Sequence, residues 1–353
     1  MMRKAIVLSA ALLALSACSV KDAVQEQTPG NSVFPLERTI TLTAHSTVRG
    51  IDSKTVRQPD GRVFWSPQET IYVDNCVASS KNEFVSTNTS PSATASFTGV
   101  LKDYTEGGTR TDPQYQPLDV IVARFPAQWH YKDVNNYYDD YCGFSGLRYS
   151  GDWTTDPSTG KTVPAQFYTD CLIPHVQTAV AGSFDRYLLP SIAISKTPEL
   201  MFRHYAGGVK FSVTNPDISS VTLKPTNASG DEHLAGSCIF YIDYFSWDVQ
   251  MSKGWNGGYN VPATSYEVTV EAPKDQTLVP GEYYYMITWP VLLSNGLTLE
   301  FRTKDGKKSS RVITKPLEIK RGHFLFINNA DAGLDSESET GGDIDDYTFD
   351  PII

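Results

Sequence analysis

A chain of 353 residues is longer than an ordinary single-core domain, so two domains are expected. The formal net charge is -10, but eight of the 40 acids lie in residues 331–350, which leaves 32 acids against 30 Lys and Arg in the rest of the chain. A nearly neutral body without a basic stripe excludes nucleic acid and other polyanions as expected partners.

The chain begins with a targeting segment. Residues 3–4 are basic, and residues 5–15 form an apolar stretch that is too short for a permanent membrane helix. The stretch LSAC is similar to a bacterial lipobox, so residues 1–18 are predicted to be a lipoprotein signal peptide with Cys18 as the lipidated residue. An ordinary signal peptide with an incidental cysteine is the alternative. Because no other run of about 18 apolar residues occurs, this lipid is the only membrane attachment that we expect.

Short runs of alternating apolar and polar residues follow, rich in Val, Ile, Thr, Phe and Tyr and separated by Gly, Pro, Asn and Asp. This pattern predicts β-strands and almost no helix. The predicted strands are RTITLTA (38–44), TIYVDN (70–75), ASFTGVL (95–101), LDVIVARFP (118–126), GVKFSVT (208–214), SVTLKP (220–225), YEVTVEA (266–272), YYYMITWPV (283–291), LTLEFRT (297–303), SRVITKPLEI (310–319) and HFLFINNA (323–330). Asp305-Gly306 predicts a tight hairpin turn between two of them. Strands this short and this numerous are typical of β-sandwiches, so the predicted fold class is all-β.

The strands divide into two predicted domains in tandem, residues 31–197 and 198–330, with the boundary near TPELMFRHYAGG. Residues 127–187 have long stretches without alternation and many aromatic residues, so this region is predicted to be an insertion in the first domain. Residues 331–353 hold the eight acids, several glycines and no Lys or Arg, which predicts a flexible acidic tail.

The tip of this acidic tail has the pattern of a strand. In DDYTFDPII, Tyr347, Phe349, Pro351 and Ile353 lie on one side of an extended chain. Pro351 counts against a long pairing, because proline has no backbone N–H to donate. Three possibilities remain: the tip pairs with a partner, packs on its own domain, or remains disordered.

Four cysteines follow the lipobox, namely Cys76, Cys142, Cys171 and Cys238. An exported chain meets an oxidising compartment, so disulfides are allowed, and four cysteines permit three pairings. We prefer Cys142 with Cys171, because both lie in the same loop-rich region. Four free, buried thiols are the alternative.

The predicted insertion is a candidate ligand surface. Aromatic rings beside Asp and Asn are typical of surfaces that bind glycans or proteins. The candidate ligand residues are Trp129, Tyr131, Tyr137, Tyr138 and Trp153, accompanied by Tyr141, Phe144 and Tyr149. The alternative is that these rings fold back and cover an edge of the sandwich.

Catalytic and metal-binding motifs are not found in the sequence. The six histidines are scattered, without an HExxH or a pair at ligand spacing. No GxSxG, Walker loop or GxGxxG introduces a nucleophile or a phosphate cradle. The acidic stretch DVNNYYDD lacks the glycine and the final glutamate of an EF-hand, so we expect a solvated loop there. We therefore expect no enzyme, no metal and no cofactor.

Several segments, in this order along the chain, resemble the fimbrillin family, the lipoprotein-derived subunits of type V pili. They are FWSPQETIYVDN, ASFTGVL, DVIVARFPAQ, LMFRHYAGGVKFSV, PGEYYYMITWPV, GLTLEFRTKDGK and PLEIKRGHFLFINNA. The resemblance covers residues 36–330 and implies two transthyretin-like β-sandwich domains.

The resemblance also implies a mechanism of assembly. In the family, a trypsin-like protease cuts after an arginine in an early loop, the first strand leaves, and an extended segment of a neighbouring subunit replaces it. Carried over to this chain, the displaced strand is residues 34–44. Its inward face would consist of Phe34, Leu36, Ile40, Leu42 and Ala44.

The cleavage site and the donor strand follow from the same resemblance. Arg49 is the favoured cleavage site because Gly50 follows it and a protease needs a flexible bond, and Arg57 is the second candidate. These arginines are ordinary hairpin residues in the alternative reading. The donor would be residues 344–353, with Tyr347, Phe349 and Ile353 as its apolar side chains.

The expected function is that of a non-enzymatic structural and adhesive subunit of surface fimbriae. We expect it at the cell surface, first as an outer membrane lipoprotein precursor and then in the fimbrium. Expected partners are other fimbrial subunits, a trypsin-like maturation protease, a host glycan or protein, and the outer membrane through the lipid anchor before maturation. The alternative is a monomeric surface lipoprotein that binds a glycan or a host protein through the aromatic insertion.

Overall fold

The computed structural model describes residues 37–45, 56–57, 63–76, 82–102, 117–127, 129–131, 140–149, 152–158, 160, 162–185, 187–228, 230–253, 264–334 and 347–351. These residues belong to one compact unit, Pro35–Ile353. Strands, turns and bends make up this part of the chain, and no helix occurs in it. The predicted all-β fold class is confirmed.

The strands of the first half are β1 (Glu37–His45), β2 (Val56–Arg57), β3 (Val63–Phe64), β4 (Thr70–Cys76), β5 (Glu83–Ser86), β6 (Thr94–Lys102), β7 (Pro117–Phe125), β8 (Trp129–Tyr131), β9 (Asp140–Phe144), β10 (Arg148–Tyr149), β11 (Trp153–Thr155), β12 (Thr162–Pro164), β13 (Gln166–Ile173), β14 (Val176–Thr178) and β15 (Ser191–Ser195). Those of the second half are β16 (Glu199–Met201), β17 (Arg203–His204), β18 (Gly207–Ser212), β19 (Ile218–Pro225), β20 (Ala235–Asp243), β21 (Val249–Lys253), β22 (Thr264–Ser265), β23 (Val268–Glu271), β24 (Tyr283–Thr288), β25 (Val291–Leu293), β26 (Leu297–Thr303), β27 (Lys308–Ile313), β28 (Leu317–Ile319), β29 (His323–Ile327) and β30 (Tyr347–Pro351).

An eight-stranded sheet has the order β16-β1-β6-β5-β4-β7-β15-β17. β16 and β17 are the first and last strands of this order, yet only Phe202 separates them along the chain. The two ends of the sheet are therefore next to each other in the sequence. Trp65 lies fully buried in the core of the sheet, and its ring contacts Phe97, Phe125 and Phe202 edge-on at centroid distances of 5.0, 5.3 and 5.3 Å. Edge-on aromatic contacts of this kind stabilise a core beyond the area they bury.

The remaining strands form a second, larger core. A sheet of order β21-β20-β13-β9-β8 also carries β10 and β22, a five-stranded sheet has the order β14-β23-β19-β26-β27, and a four-stranded sheet has the order β24-β18-β29-β30. Three two-stranded pairs, β2-β3, β11-β12 and β25-β28, complete the sheets of the described chain. The hairpin predicted at Asp305-Gly306 is confirmed: Gly306 has φ +87°, and β26 pairs with β27 on either side of it.

Strand pairing crosses the predicted domain boundary at residues 197 and 198. Strand β13 pairs with β20 from Gln166↔Asp243 to Ile173↔Gly236, and β14 pairs with β23. Strands from both predicted domains therefore share one core. The division into two sandwiches stays a prediction.

The buried guanidinium of Arg124 joins the eight-stranded sheet to the sheet of β9 and β13. Arg124 on β7 is fully buried, and its guanidinium contacts the carboxylate of Asp74 on β4. The same guanidinium donates to the backbone carbonyl of Ser145 and, at 3.2 Å, to the hydroxyl of Thr169. Burial lowers the pKa of Arg124 to about 9. Asp74 accepts a further hydrogen bond from Asn82 at 3.3 Å.

Removing one partner of this ion pair leaves the other charge buried without compensation. We therefore expect Asp74→Ala to lower the free energy of unfolding by about 3–5 kcal/mol, measured by chemical denaturation with tryptophan fluorescence. Glu300→Ala is the matched control, because Glu300 contacts Lys224 and Lys308 at 3.0 and 2.8 Å near the surface. It is expected to cost about 1 kcal/mol or less. Equal losses for the two variants would contradict the role assigned to Asp74.

Candidate functional site

Strand β1, the candidate displaced strand, lies between β6 and β16 in the eight-stranded sheet. We call the gap between β6 and β16 the seam. Strand β1 pairs antiparallel with β6 along its whole length, from Glu37↔Lys102 to His45↔Thr94. Its last three residues also pair parallel with β16, from Thr43↔Glu199 to His45↔Met201. The C-terminal end of β1 is therefore hydrogen-bonded on both sides.

One face of β1 enters the core of the sheet. Leu42 and Ala44 are fully buried, and Ile40 is partly buried and packs against the same core. Thr39 and Thr41 on the other face are exposed. Burial of a large aliphatic side chain contributes about 1.5–3 kcal/mol. Two further residues of the predicted inward face, Phe34 and Leu36, lie outside the described residues.

The neighbours of β1 define what the seam would expose if the strand left. Phe97 and Leu101 of β6 and Leu200 of β16 are buried in the core that β1 covers. Gly99, which lies opposite Ile40, has no room for a side chain, because a Cβ there would lie 2.5 Å from the carbonyl oxygen of Glu83. An empty seam would thus be an apolar groove flanked by unpaired backbone ladders.

The contact between β1 and β16 includes a side-chain ion pair. The imidazole of His45 contacts the carboxylate of Glu199, and their side chains are 38% and 55% exposed. Exposed pairs of this kind contribute little, about 0–1 kcal/mol. The backbone ladder and the apolar face, rather than this ion pair, therefore hold β1 in the seam.

The structure describes one of the two candidate cleavage sites, Arg57. Arg57 belongs to β2, and its backbone pairs with Val63 of β3. A protease would have to open this short ladder before it could cut there. Arg49 is not among the described residues, and neither is the lipidation candidate Cys18.

The strand predicted at the tip of the tail is present and pairs within its own chain. Strand β30 is antiparallel to β29, with Tyr347 opposite Ile327, Phe349 opposite Leu325 and Pro351 opposite His323. It forms one edge of the four-stranded sheet. Tyr347 is half-buried against the larger core and Thr348 is exposed. The side chain of Phe349 and all of Ile353 fall outside what the structure describes, and the donor role stays a prediction.

The candidate disulfide involves two neighbouring strands. Cys171 on β13 lies opposite Phe144 of β9, so the backbone of Cys142 is two residues further along the same partner strand. The side chain of Cys142 is not described, and its pairing with Cys171 stays a prediction. Cys171 also lies opposite Cys238 of β20. Cys238 is buried, and burial raises the pKa of its thiol to about 12, so it stays protonated.

The aromatic residues of the insertion do not share one environment. Trp153 lies on β11 and is 37% exposed, whereas Phe144 is fully buried in the larger core. The burial of Phe144 therefore agrees with the alternative hypothesis, in which these rings fold back onto the sandwich. Trp129 and Tyr131 belong to β8, but their side chains are not described, and Tyr137 and Tyr138 lie in an undescribed stretch.

Sequence analysis did not identify β16, the second partner of β1. Its three residues were interpreted only as part of a domain boundary, although Leu200 and Phe202 alternate with exposed residues there.

Within the described residues, no group of three or more His, Cys, Asp or Glu side chains is arranged to hold a metal ion. No helix in that part of the chain meets the length and apolarity that a membrane crossing requires.

Comparison with known proteins finds distant likenesses among solved structures. A candidate cell adhesion protein of Bacteroides ovatus has 14% identity and a TM-score of 0.38, with 89% of this chain and 96% of that chain covered. One of Bacteroides uniformis has 14% identity and a TM-score of 0.38, with coverage of 89% and 98%. The tip fimbrial protein of Porphyromonas gingivalis, truncated at its C-terminus, has 7% identity and a TM-score of 0.27, with coverage of 83% and 94%.

These comparisons assign neither a family nor a function. No family model matches the chain, and no curated protein matches it. TM-scores this low do not support a functional assignment. The seam, the tail and the sequence motifs provide the basis for one.

We expect Leu42→Ala to loosen β1, because it removes a fully buried side chain from the inward face. Core substitutions of this type cost about 2–5 kcal/mol of unfolding free energy, which chemical denaturation would measure. The control is Thr39→Ala on the exposed face, expected to stay within about 0.5 kcal/mol of the parent chain. Similar effects of the two substitutions would show that the inward face does not hold the strand.

Deletion of residues 344–353 removes the antiparallel partner of β29. Backbone amides of His323–Ile327 should then exchange with deuterated solvent faster, which mass spectrometry of peptic peptides measures. Peptides from β19, which lies in a different sheet, provide the internal control. Unchanged protection of β29 would contradict the pairing of the tail with its own chain.

Proposed function

We propose that this chain is a structural and adhesive subunit of surface fimbriae that assembles by exchange of a strand after proteolysis. The observation that carries the proposal is the position of β1 in the seam. A nine-residue strand held by a backbone ladder and by a few apolar side chains can be replaced by any extended segment with the same alternation.

The tail supports the proposal as a source of the replacing strand. Strand β30 is five residues long and, among the described strands, pairs only with β29 at the edge of its sheet. A vacated seam would offer the longer ladder of β6, a second ladder on β16 and an apolar groove. A segment that moves from the edge of its own sheet to a neighbour's seam would therefore gain backbone pairing and burial.

The order of events follows from the sequence. The chain would be exported, attached to the outer membrane through Cys18 and carried to the surface. A trypsin-like protease would cut after Arg49 or Arg57, β1 would leave the seam, and residues 344–353 of another subunit would enter it through Tyr347, Phe349 and Ile353. The proposed partners are therefore other fimbrial subunits and the protease, and adhesion would add a host glycan or protein.

A second candidate function is that of a monomeric surface lipoprotein that binds a glycan. The exposed ring of Trp153 on the β11-β12 hairpin favours it. This candidate requires an intact β1 in the mature protein and no polymer. It also requires that Trp153→Ala weaken binding to immobilised glycans.

Limited trypsin digestion of the purified mature chain tests the fimbrial proposal. We expect one early cut after Arg49 or Arg57, loss of the N-terminal fragment, and a ladder of multimers on a sizing gel without boiling. Mass spectrometry locates the cut, and Gln in place of the arginine at that bond should abolish it, as should the double substitution of Arg49 and Arg57. Arg302→Gln, on the exposed side of β26, is the matched control.

Deletion of residues 344–353 separates cleavage from assembly. The deleted chain should be cut at the same bond and remain monomeric, because the donor is missing. A parent chain that resists cleavage, or that is cut and stays monomeric, would contradict the proposal and favour the monomeric lipoprotein.

A further inference from the structure

A cavity of about 610 Å³ lies between the eight-stranded sheet and the turn that joins β20 to β21. Its apolar lining includes Val120 of β7, Ile192 and Ile194 of β15, Met201 of β16 and Val249 of β21. Trp247 of the turn also lines it. The volume falls within the range of about 300–1,000 Å³ that small-molecule sites occupy.

The cavity carries an excess of positive charge. Lys196, Arg203 and Arg321 line it, against a single acid, Asp248. Among the described residues, no carboxylate lies within ion-pair distance of any of the three cations. Arg321 is held in place: its Nε donates to the carbonyl of His204 at 2.6 Å, and its guanidinium carbon lies 3.8 Å from the centre of the Tyr205 ring. A fixed guanidinium is well suited to bind a carboxylate.

Ser246 and Trp247 in the lining belong to a turn, residues 244–247, that several hydrogen bonds hold in place. The carboxylate of Asp243 accepts hydrogen bonds from the backbone N–H groups of Phe245 and Ser246, at 2.9 and 2.8 Å. Trp247 donates its N–H to the carbonyl of Asp243 at 3.0 Å, and its ring lies parallel to that of Phe167. Trp247 also has φ +58°, a conformation that costs free energy for a bulky residue and that clusters at ligand sites.

We propose that this cavity binds an acidic saccharide of up to three rings, with the carboxylate paired to Arg203, Arg321 and Lys196 and a sugar ring stacked on Trp247. The hydroxyls of Ser195 and Ser246 supply the hydrogen-bonding groups that sugar hydroxyls need. A fatty acid would require a continuous apolar lining, which the charged side chains interrupt. A nucleic acid would require a basic stripe, which the nearly neutral body does not offer.

This site is separate from the candidate residues of the aromatic insertion, but Met201 of β16, which pairs with β1, belongs to its lining. Binding is therefore measured on the uncut mature chain, where failure of assembly does not affect it. Isothermal titration with sialyllactose, with an unsulfated glucuronate disaccharide and with neutral lactose tests the charge requirement. We expect at least one acidic probe to bind, lactose to bind about tenfold more weakly, and added salt to weaken the acidic probe.

Two variants test the two walls of the cavity. Arg203→Ala changes an exposed side chain and should lower the affinity for the acidic probe about tenfold without changing the unfolding midpoint. Trp247→Ala should lower the affinity for sialyllactose and lactose alike. Arg302→Ala, an exposed arginine on β26 outside the cavity, is the matched control and should bind as the parent does. Absence of binding by both acidic probes, equal affinity for lactose, or full affinity in Arg203→Ala would overturn the proposal.

Discussion

The buried guanidinium of Arg124 links the two cores of the protein, because it pairs with Asp74 in its own sheet and donates hydrogen bonds beyond that sheet. Strand β7 is buried on both faces: Ala123 and Phe125 belong to the core around Trp65, whereas Val122 belongs to the larger core. Arg124 contacts Ser145 and Thr169 of the neighbouring sheet. A charge at that depth is tolerated only because Asp74 and these polar groups compensate it. The hydrogen bonds of Arg124 therefore help to fix how the eight-stranded sheet packs against its neighbour, and Asp74 compensates the charge that makes them.

This anchored region lies away from the seam. In the sheet order, β6, β5 and β4 separate β1 from β7, and none of the Arg124 contacts involves β1. Among the described side chains of β1, Leu42, Ala44 and Ile40 pack in the core around Trp65 rather than in the larger core. Loss of β1 would thus open one core without removing the hydrogen bonds of Arg124 that link the two. A fold with a fixed region and a replaceable strand is what assembly by strand exchange requires.

Local alternation was sufficient to predict the all-β class, and each of the eleven predicted runs overlaps a strand of the structure. The run LTLEFRT coincides with β26, and Asp305-Gly306 forms the turn after it. Strand β13 was missed, because Thr169 and Cys171 at its inward positions weaken the apolar alternation that identifies a strand. Its pairing with β20 joins residues about 70 positions apart, and register over such a distance is not encoded in a local pattern. For the same reason, the second partner of β1 and the ion pair of Arg124 were visible only in the structure.

A structure of the assembled, protease-treated fibre by electron cryo-microscopy is the most direct test of the central claim, that the strand in the seam is exchangeable. The account predicts that the segment between β6 and β16 belongs to a neighbouring subunit and is made of residues 344–353, with Tyr347 and Phe349 where β1 places its inward side chains. A seam that still holds residues 37–45 of the same chain, with subunits joined at another surface, would contradict it.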